Sequence, residues 1–269
     1  MELSLVTPTH INAYCLDVED IEPLIRPDTF LICVMDINNE LGVRNKVARI
    51  AQDAALHGIA TLVDCTQSFS CGGSEVAIGS RTSCATYMTC SAHKFYGPAG
   101  VGFLIARRPL EPLIVGGSQE QGLRGGTHNV AGIVGMAAAL SEIHQADYTA
   151  HYRDLLHYLG VSLIKNVPEA DFNVVPYQPS IISVRCPGLA GGSQLAAMLD
   201  SYDIAVSAGS ACDSGHDETA GEFNGSHVLV AIGMTENEIR DTIRVSFIRT
   251  TTKKDIDRLV FALRDLYQL

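Results

Sequence analysis

In the first quarter of the chain, apolar runs that end in polar residues alternate with a helical pattern, and this alternation constrains the fold most strongly. The run from Thr29 to Ile37 is mostly apolar and ends in the polar turn Asn38–Gly42. Val47 to Leu56 carries apolar residues at helical spacing, and the run from Ile59 to Val63 then ends in Asp64. Nearly continuous apolar strands are typical of parallel sheets, and a strand–helix–strand order predicts βαβ units. We therefore expect an α/β fold with a mainly parallel sheet.

The overall composition excludes several classes of protein. Of the 269 residues, 46% are hydrophobic and 18% are charged, as in an ordinary globular protein. The formal net charge of −11 disfavours a nucleic-acid-binding surface, which is normally basic. No apolar run reaches membrane-spanning length, and the first residues lack the basic segment and apolar core of a signal peptide. We therefore expect a cytoplasmic protein.

The eight cysteines do not form a zinc-binding pattern. No Cys-x-x-Cys pair occurs, and the spacings of Cys65 with Cys71 and of Cys84 with Cys90 are not those of zinc ligands. In a cytosolic protein, most cysteines are small buried hydrophobic residues. We therefore expect no metal site.

Lys94 lies between two apolar runs, at a position where a lysine can act as a nucleophile. The β-prone run from Thr86 to Cys90 precedes it, and the apolar run from Phe103 to Ala106 follows a turn rich in glycine and proline. Burial at the mouth of a strand lowers the pKa of a lysine and makes its amine nucleophilic, as imine formation requires. Asp64 ends an earlier apolar run, where open α/β sheets bind ligands. A solvated loop lysine is the alternative interpretation.

Two motifs around these residues, in their order along the chain, resemble the pyridoxal-phosphate site of cysteine desulfurases. They are residues 63–67, with the sequence VDCTQ, and residues 91–98, with the sequence SAHKFYGP. These enzymes form a group of the class-V aminotransferases, of pyridoxal-phosphate fold type I, and serve iron–sulfur assembly. The resemblance implies a large cofactor-binding domain over residues 1–145. It also implies a smaller C-terminal α+β domain over residues 146–269.

The same resemblance assigns roles to single residues of the two motifs. Pyridoxal phosphate needs a lysine for its Schiff base and an acid beside its ring nitrogen. The matching residues are Lys94 and Asp64. Gln67 matches the residue that hydrogen-bonds the phenolic oxygen, while Ser91 and His93 match ligands of the phosphate.

Cys212 is the candidate nucleophile, because its surroundings are small and polar. The small residues 207–211 precede it, and residues 213–226 are rich in Gly, Asp and Ser, which predicts an exposed, mobile segment. Burial of the cysteine is the alternative. The run resembles the Ser-Ser-Gly-Ser-Ala-Cys motif of the long-loop desulfurase class, with Ala208 in place of the second serine. The resemblance implies that Cys212 receives sulfur from the substrate. The segment after it is longer and more acidic than is usual in that class.

Three further residues complete the candidate site. Arg244 lies in the otherwise apolar run 243–247, where a buried arginine needs an anionic partner, and a salt bridge to a core carboxylate is the structural alternative. The resemblance implies that Arg244 binds the substrate's α-carboxylate together with Asn39. Thr127 follows the glycines 125–126 and matches a threonine that reaches the phosphate of the neighbouring subunit's cofactor. The resemblance therefore implies a homodimer with shared sites.

Sequence patterns predict further elements beyond the first sheet. We expect a short helix over residues 17–25 and helices over 129–143, 152–164 and 194–199, with strands over 180–184 and 204–206. A capping box from Thr252 to Asp255 predicts a final helix. Its apolar face would consist of Ile256, Leu259, Val260, Leu263 and Leu266.

The implied activity is removal of sulfur from L-cysteine, giving L-alanine and a persulfide that an acceptor protein collects. The sequence leaves three acceptors open: an iron–sulfur scaffold, a tRNA-thiolation relay or a biosynthetic enzyme. Desulfurases usually begin with a further segment, which carries a phosphate-binding threonine and a histidine stacked on the cofactor, and neither motif is found here. Three interpretations follow: a desulfurase that works alone or with a complementing chain, a selenocysteine lyase, or a non-catalytic desulfurase-like partner.

Overall fold

Two β-sheets, each with its own hydrophobic core, organise the protein. The structure is a computed structural model that describes residues 2–9, 14–71, 84–145, 148–189, 191–208 and 225–268. Within these ranges, no helix combines the length and the apolar character that crossing a membrane requires.

The larger sheet has four strands in the order of the sequence. They are β1 (Leu31–Met35), β2 (Ala60–Asp64), β3 (Tyr87–Ser91) and β4 (Gly102–Ala106). The first three strands are parallel, and β4 runs antiparallel to β3. The prediction of an α/β fold with a mainly parallel sheet is therefore confirmed.

One face of this sheet forms a core with the neighbouring helices. Register places Val34, Val63, Met88 and Ile105 side by side across the four strands. They pack with residues of α1 (Val18–Ile21), α2 (Val47–Leu56) and α3 (Val130–Gln145). The predicted bounds of α2, Val47–Leu56, are confirmed. Gly58 follows the end of the helix with a φ of +73°, a backbone conformation that commonly terminates helices. The expected short helix over 17–25 is α1 followed by a 3₁₀ turn, Glu22–Leu24.

The smaller sheet is antiparallel and has a helical cover. Its strands are β5 (Asp171–Phe172), β6 (Ile181–Arg185) and β7 (Thr242–Ser246). The helices α4 (Thr149–Asn166), α5 (Gly192–Asp200) and α8 (Lys253–Tyr267) pack against it around a core that includes Leu159, Ile182, Ile243 and Ile256. This sheet and its helices form the α+β arrangement that was expected for the C-terminal part of the chain. The domain boundary after residue 145 stays a prediction.

A third cluster joins the polar turn after β1 to two short helices, α6 (His227–Ala231) and α7 (Glu236–Arg240). The buried residues of this cluster are Leu41, Val43, Leu229 and Ile239. At Gly42, whose φ is +68°, a Cβ atom would lie 2.6 Å from the carbonyl oxygen of Ile181. The turn can therefore approach β6 only with glycine at this position.

The predicted strand over residues 204–206 is wrong. The structure has only an isolated bridge between Ser207 and Arg244, so this stretch joins the smaller sheet at one point. An apolar run alone cannot distinguish a strand from an extended loop, because pairing depends on a partner elsewhere in the chain.

Candidate active site

Asp64 and Ser91 lie on the same face of the larger sheet, at the carboxyl ends of parallel strands. Asp64 ends β2 and is paired with Thr89 of β3, two residues before Ser91, so alternation places all three side chains on one face. The Oδ1 atom of Asp64 accepts a hydrogen bond of 2.9 Å from the backbone N–H of Thr66, which orients the carboxylate. Asp64 is exposed and Ser91 is half-buried. This edge of the sheet can therefore present an acid and a hydroxyl to one ligand.

Lys94 follows β3 in a short 3₁₀ turn, Ala92–Phe95, which two fully buried side chains anchor. Ala92 and Phe95 are both 0% exposed, so the intervening His93 and Lys94 point to the outside and are exposed. Tyr96 ends the turn with a φ of 67°. The prediction of a buried Lys94 is therefore wrong for this chain by itself. Because Ala92 and Phe95 face the core, the side chain of Lys94 faces the solvent.

The loop after β2 holds Gln67 next to a buried ion pair. Gln67 is half-buried, and the hydroxyl of the following residue, Ser68, donates a hydrogen bond of 2.6 Å to Oδ2 of Asp36. Asp36 is fully buried and also accepts a bond of 2.9 Å from Nε of Arg44. This buried network fixes the start of the loop that carries Gln67.

Arg244, in β7 of the smaller sheet, contacts the polar turn of residues 38–42 that follows β1 of the larger sheet. Its Nη1 atom donates to the carbonyl oxygen of Asn39 at 3.0 Å, and its Nη2 atom donates to Oγ of Ser207 at 3.2 Å. The backbones of Arg244 and Ser207 also pair through two hydrogen bonds. The two predicted substrate-binding residues, 205 positions apart, are therefore in direct contact.

Thr127 lies on an exposed loop between β4 and α3. A bridge between Ile114 and Arg124 holds the base of the loop, where the N–H of Gly125 donates to the carbonyl of Ile114 at 2.8 Å. Thr127 itself is exposed. The contacts of the described residues do not join it to the group formed by Asp64 and Lys94 within one chain.

Two cysteines near Asp64 are poor candidates for a nucleophile. Burial, together with nearby carboxylates such as Asp64, raises the pKa of Cys65 and of Cys90 to about 12. Both thiols are therefore neutral at ordinary pH, whereas the nucleophile must be a thiolate. Cys212, the predicted nucleophile, lies outside the described residues.

Sequence reasoning did not single out Glu40 or Ser226. Both are buried, and the Ser226 hydroxyl donates to the Glu40 carboxylate. Glu40 belongs to the polar turn that carries Asn39, which was the available signal. The sequence has no signal for its partner, because 186 positions separate the two residues.

The fold is that of the pyridoxal-phosphate-dependent aminotransferases. A solved structure described as a NifS-like protein matches with a TM-score of 0.81 and 29% identity, covering 94% of this chain and 65% of that chain. The cysteine desulfurase CsdA of Escherichia coli matches in fold with a TM-score of 0.74 at 23% identity, covering 94% of this chain and 62% of that one.

Sequence comparison then gives the family. The model of the family described as aminotransferase class-V matches residues 4–259, and the chain therefore belongs to that family. A cysteine desulfurase of Nostoc sp. is 31% identical over 98% of this chain and 65% of its own length. The cysteine desulfurase IscS of Klebsiella pneumoniae is 34% identical over 93% of this chain and 60% of its own length. The chain thus spans somewhat less than two thirds of these relatives.

Proposed function

We propose that this chain is the larger part of a cysteine desulfurase, which converts L-cysteine to L-alanine and leaves a persulfide on Cys212. The observation that carries the proposal is the arrangement of residues from both sheets. Asp64 and Ser91 share one face of the larger sheet, Lys94 follows in the next turn, and Arg244 reaches Asn39 from the smaller sheet. The relatives named as cysteine desulfurases support the same activity.

The donor groups at the strand ends fit pyridoxal phosphate. Lys94 would hold the cofactor covalently, Asp64 would accept a hydrogen bond from its ring nitrogen, and Gln67 would donate to its phenolic oxygen. Ser91, His93 and Thr127 would bind the phosphate; the hydroxyl and imidazole groups are suitable donors. When bound, the cofactor withdraws electrons from the carbon atoms of the substrate.

The contact between Arg244 and Asn39 fits a carboxylate-binding subsite. A guanidinium group binds a carboxylate with two parallel hydrogen bonds, and Asn39 adds an amide. L-cysteine is the proposed substrate; the solved structure of a relative is described as SspA in complex with cysteine, with a TM-score of 0.69 and 28% identity. In the transfer step, the Cys212 thiolate attacks the substrate sulfur. The new S–S bond forms as the C–S bond breaks, and the carbon keeps the electron pair and takes a proton to give alanine.

An acceptor protein would then collect the sulfur of the persulfide. An iron–sulfur scaffold or a thiolation relay is the proposed acceptor, since the relatives include a desulfurase named IscS. A cytoplasmic location is part of the same proposal. Reducing conditions there keep thiols free, and Cys15, Cys33, Cys65, Cys84, Cys90 and Cys186 are free cysteines in the described part of the chain.

A homodimer is proposed because exposed apolar side chains occur on both sides of Thr127 along the chain. Leu113 is 94% exposed and Val115 is 83% exposed, and Val130 and Val134 at the start of α3 are also exposed. Groups of exposed large apolar side chains are typical of interaction surfaces. A second copy that covers them would bring each Thr127 toward the other subunit, as the shared site requires.

A complementing polypeptide is proposed for the open face of the larger sheet. Register places Cys33 and Leu62 on the face of Asp64, and Leu104 lies beside Thr89 on that face. None of these three apolar residues belongs to the packed clusters of the described residues. Parallel sheets are normally covered on both faces. The chain covers 65% and 60% of the two curated relatives, so more than a third of each has no counterpart here, and such a segment would supply the cover. Full alanine release by this chain alone would contradict this part of the proposal.

The activity is tested with purified protein supplied with pyridoxal phosphate and L-cysteine, with and without a complementing chain. We expect the absorbance of bound cofactor and the release of alanine. Lys94→Ala should reduce alanine release by at least about a hundredfold, since proton transfers alone contribute that much. Cys212→Ser should keep the cofactor absorbance and abolish sulfide release. Unimpaired turnover of Cys212→Ser would refute the assignment, and a comparison with selenocysteine would distinguish a selenocysteine lyase.

A further inference from the structure

Tyr96 ends the turn that carries Lys94 in a backbone conformation that tyrosine rarely adopts. Its φ of 67° and ψ of 13° lie in the left-handed region, where a bulky residue is an outlier. The backbone N–H of Tyr96 donates to the carbonyl oxygen of Ala92, so this conformation closes the turn around Lys94. Such a conformation persists only where the surroundings hold it in place, and it is frequent at functional sites.

The ring and the hydroxyl of Tyr96 both contact Arg249. The guanidinium carbon of Arg249 lies 4.7 Å from the centre of the Tyr96 ring, within the range of a cation–π interaction. The backbone N–H of Arg249 donates a hydrogen bond of 2.9 Å to the Tyr96 hydroxyl. The same hydroxyl oxygen lies 3.0 Å from the hydroxyl oxygen of Tyr152, with which it shares a hydrogen bond. These contacts fix the side chain of Tyr96, and with it the end of the turn.

The partners of Tyr96 belong to the part of the chain that forms the smaller sheet. Tyr152 lies in α4, is 1% exposed and is part of the core of that sheet. Arg249 lies shortly after β7, the strand that carries Arg244. It also forms an ion pair with Glu142 of α3, a helix that packs against the larger sheet. The turn after β3, the helix α3 and the segment after β7 therefore meet at Tyr96.

We propose that Tyr96 is a positioning residue for Lys94. The buried side chains of Ala92 and Phe95 hold the turn to the core of the larger sheet, and Tyr96 holds its end to the smaller sheet through Arg249. The inference rests on the proposed function, in which the amine of Lys94 bonds covalently to the cofactor. Such a bond forms only from a near-attack geometry, and a misplacement of about 1 Å can reduce the rate about a hundredfold. Loss of the Tyr96 contacts would therefore slow the attachment of Lys94 and leave the other contacts with the cofactor in place.

Two substitutions at Tyr96 are compared with the same two at Tyr158. Tyr96→Phe removes the hydroxyl and keeps the ring beside the Arg249 guanidinium, whereas Tyr96→Ala removes both. Tyr158 is the matched control, because its side chain makes the same two kinds of contact. Its hydroxyl donates a hydrogen bond of 2.7 Å to Asp257, and its ring centre lies 5.2 Å from Nζ of Lys253. These contacts join α4 to α8 within the smaller part of the protein.

The measurement separates cofactor binding from covalent attachment in the competent enzyme, with its complementing chain where that is required. Pyridoxine 5′-phosphate has no aldehyde, so its titration reports the noncovalent contacts alone. With pyridoxal phosphate, the Lys94 amine forms a C=N bond to the aldehyde carbon and water leaves. Borohydride added at successive times reduces this bond to a stable amine, and mass spectrometry of the Lys94 peptide then gives the rate of attachment.

The four variants should differ in rate and agree in affinity. For Tyr96→Ala we expect the attachment of Lys94 to slow about tenfold to a hundredfold, with an almost unchanged dissociation constant for pyridoxine 5′-phosphate. Tyr96→Phe should slow it about twofold to tenfold, the range that corresponds to one hydrogen bond. Tyr158→Phe and Tyr158→Ala should both stay close to the native protein.

The possible results have distinct meanings. If Tyr96→Ala attaches Lys94 as fast as Tyr158→Ala does, the inference is wrong while the proposed function stands. The same holds if the Tyr96 variants weaken pyridoxine 5′-phosphate binding as much as they slow attachment, because the contacts would then support the whole site. If Tyr96→Ala does not fold, the comparison of Tyr96→Phe with Tyr158→Phe decides in the same way. If the native enzyme forms no bond between Lys94 and pyridoxal phosphate, the proposed function is wrong and the inference fails with it.

Discussion

Asp36 and Asp64 both stand at the carboxyl ends of neighbouring strands, yet their surroundings give them different tasks. Asp36 is fully buried, forms an ion pair with Arg44 and accepts a hydrogen bond from Ser68. Asp64 lies on the opposite face of the sheet and is exposed, and its Oδ1 atom accepts a local hydrogen bond from the N–H of Thr66. Asp36 therefore stabilises the fold, whereas the carboxylate of Asp64 is accessible to a ligand.

Exchanging each aspartate for asparagine should therefore give opposite results. Asp36→Asn should destabilise the protein by about 3 kcal/mol or more, because it leaves the Arg44 charge buried without its counter-charge. Asp64→Asn should change the free energy of unfolding by less than about 0.5 kcal/mol, as exposed substitutions do. It should weaken cofactor binding and shift the cofactor absorbance. Urea unfolding and cofactor titration measure the two effects; a strongly destabilised Asp64→Asn would contradict the distinction.

The buried thiols predict how the chain responds to pH. Burial raises the pKa of Cys65, Cys90 and Cys186 to about 12, compared with about 8.5 for a thiol in water. The folded state therefore keeps protons that the unfolded chain loses, so the resulting stabilisation is present below about pH 8.5 and is lost as the pH rises toward 12. We expect the free energy of unfolding to fall over this range.

Alkylation with iodoacetamide provides a direct measurement of the same effect. At pH 8 the three buried thiols should stay unmodified in the folded protein, while the exposed Cys84 reacts. All of them should react in urea. Labelling of Cys186 in the folded protein at the rate of Cys84 would show that its burial does not suppress the thiolate.

At the scale of elements, local signals in the sequence were sufficient for several helices. The final helix α8 begins after Thr252 with the predicted capping box to Asp255, and the predicted apolar residues Ile256, Leu259, Val260 and Leu263 are buried. Such signals work because the cap and the apolar face lie within a few residues of each other. The same reasoning placed the two ends of α2 correctly.

Features that depend on distant pairing could not be predicted from the sequence. The stretch 204–206 has a strand-like composition but meets the smaller sheet only at Ser207. The outward direction of Lys94 depends on the buried anchors Ala92 and Phe95, which pack against residues far along the chain. The motifs of the candidate site were nevertheless visible, because the residues in each motif are close in sequence.

The two faces of α8 give a prediction at this scale. Leu263 is 1% exposed within the core of the smaller sheet, and Phe261, two residues away, is 65% exposed. Leu263→Ala should lower the free energy of unfolding by about 2–5 kcal/mol, because it removes buried methyl groups and leaves a cavity. Phe261→Ala is the matched control and should change it by less than about 0.5 kcal/mol. Similar losses in urea unfolding of both variants would contradict the burial pattern.

At the scale of the whole molecule, the proposed site would need two subunits. Asp64, Ser91 and Lys94 belong to one sheet edge, while Thr127 lies on an exposed loop flanked by apolar side chains. In a twofold dimer, each subunit would give its Thr127 to the site of the other. The homodimer and the sharing of sites are therefore one proposal, and an experiment on mixed subunits tests both parts.

Mixing two inactive variants should restore activity if the sites are shared. A Lys94→Ala chain keeps its Thr127, and a Thr127→Ala chain keeps its Lys94, so a mixed dimer contains one site with both native residues. Random pairing after joint refolding should recover about a quarter of the native sites, measured as alanine release. Leu113→Asp in both chains should prevent the recovery by breaking the interface, whereas Leu56→Asp, at an 87% exposed position on α2, should not. Activity equal to the sum of the separate variants would mean that Thr127 does not serve the partner's site.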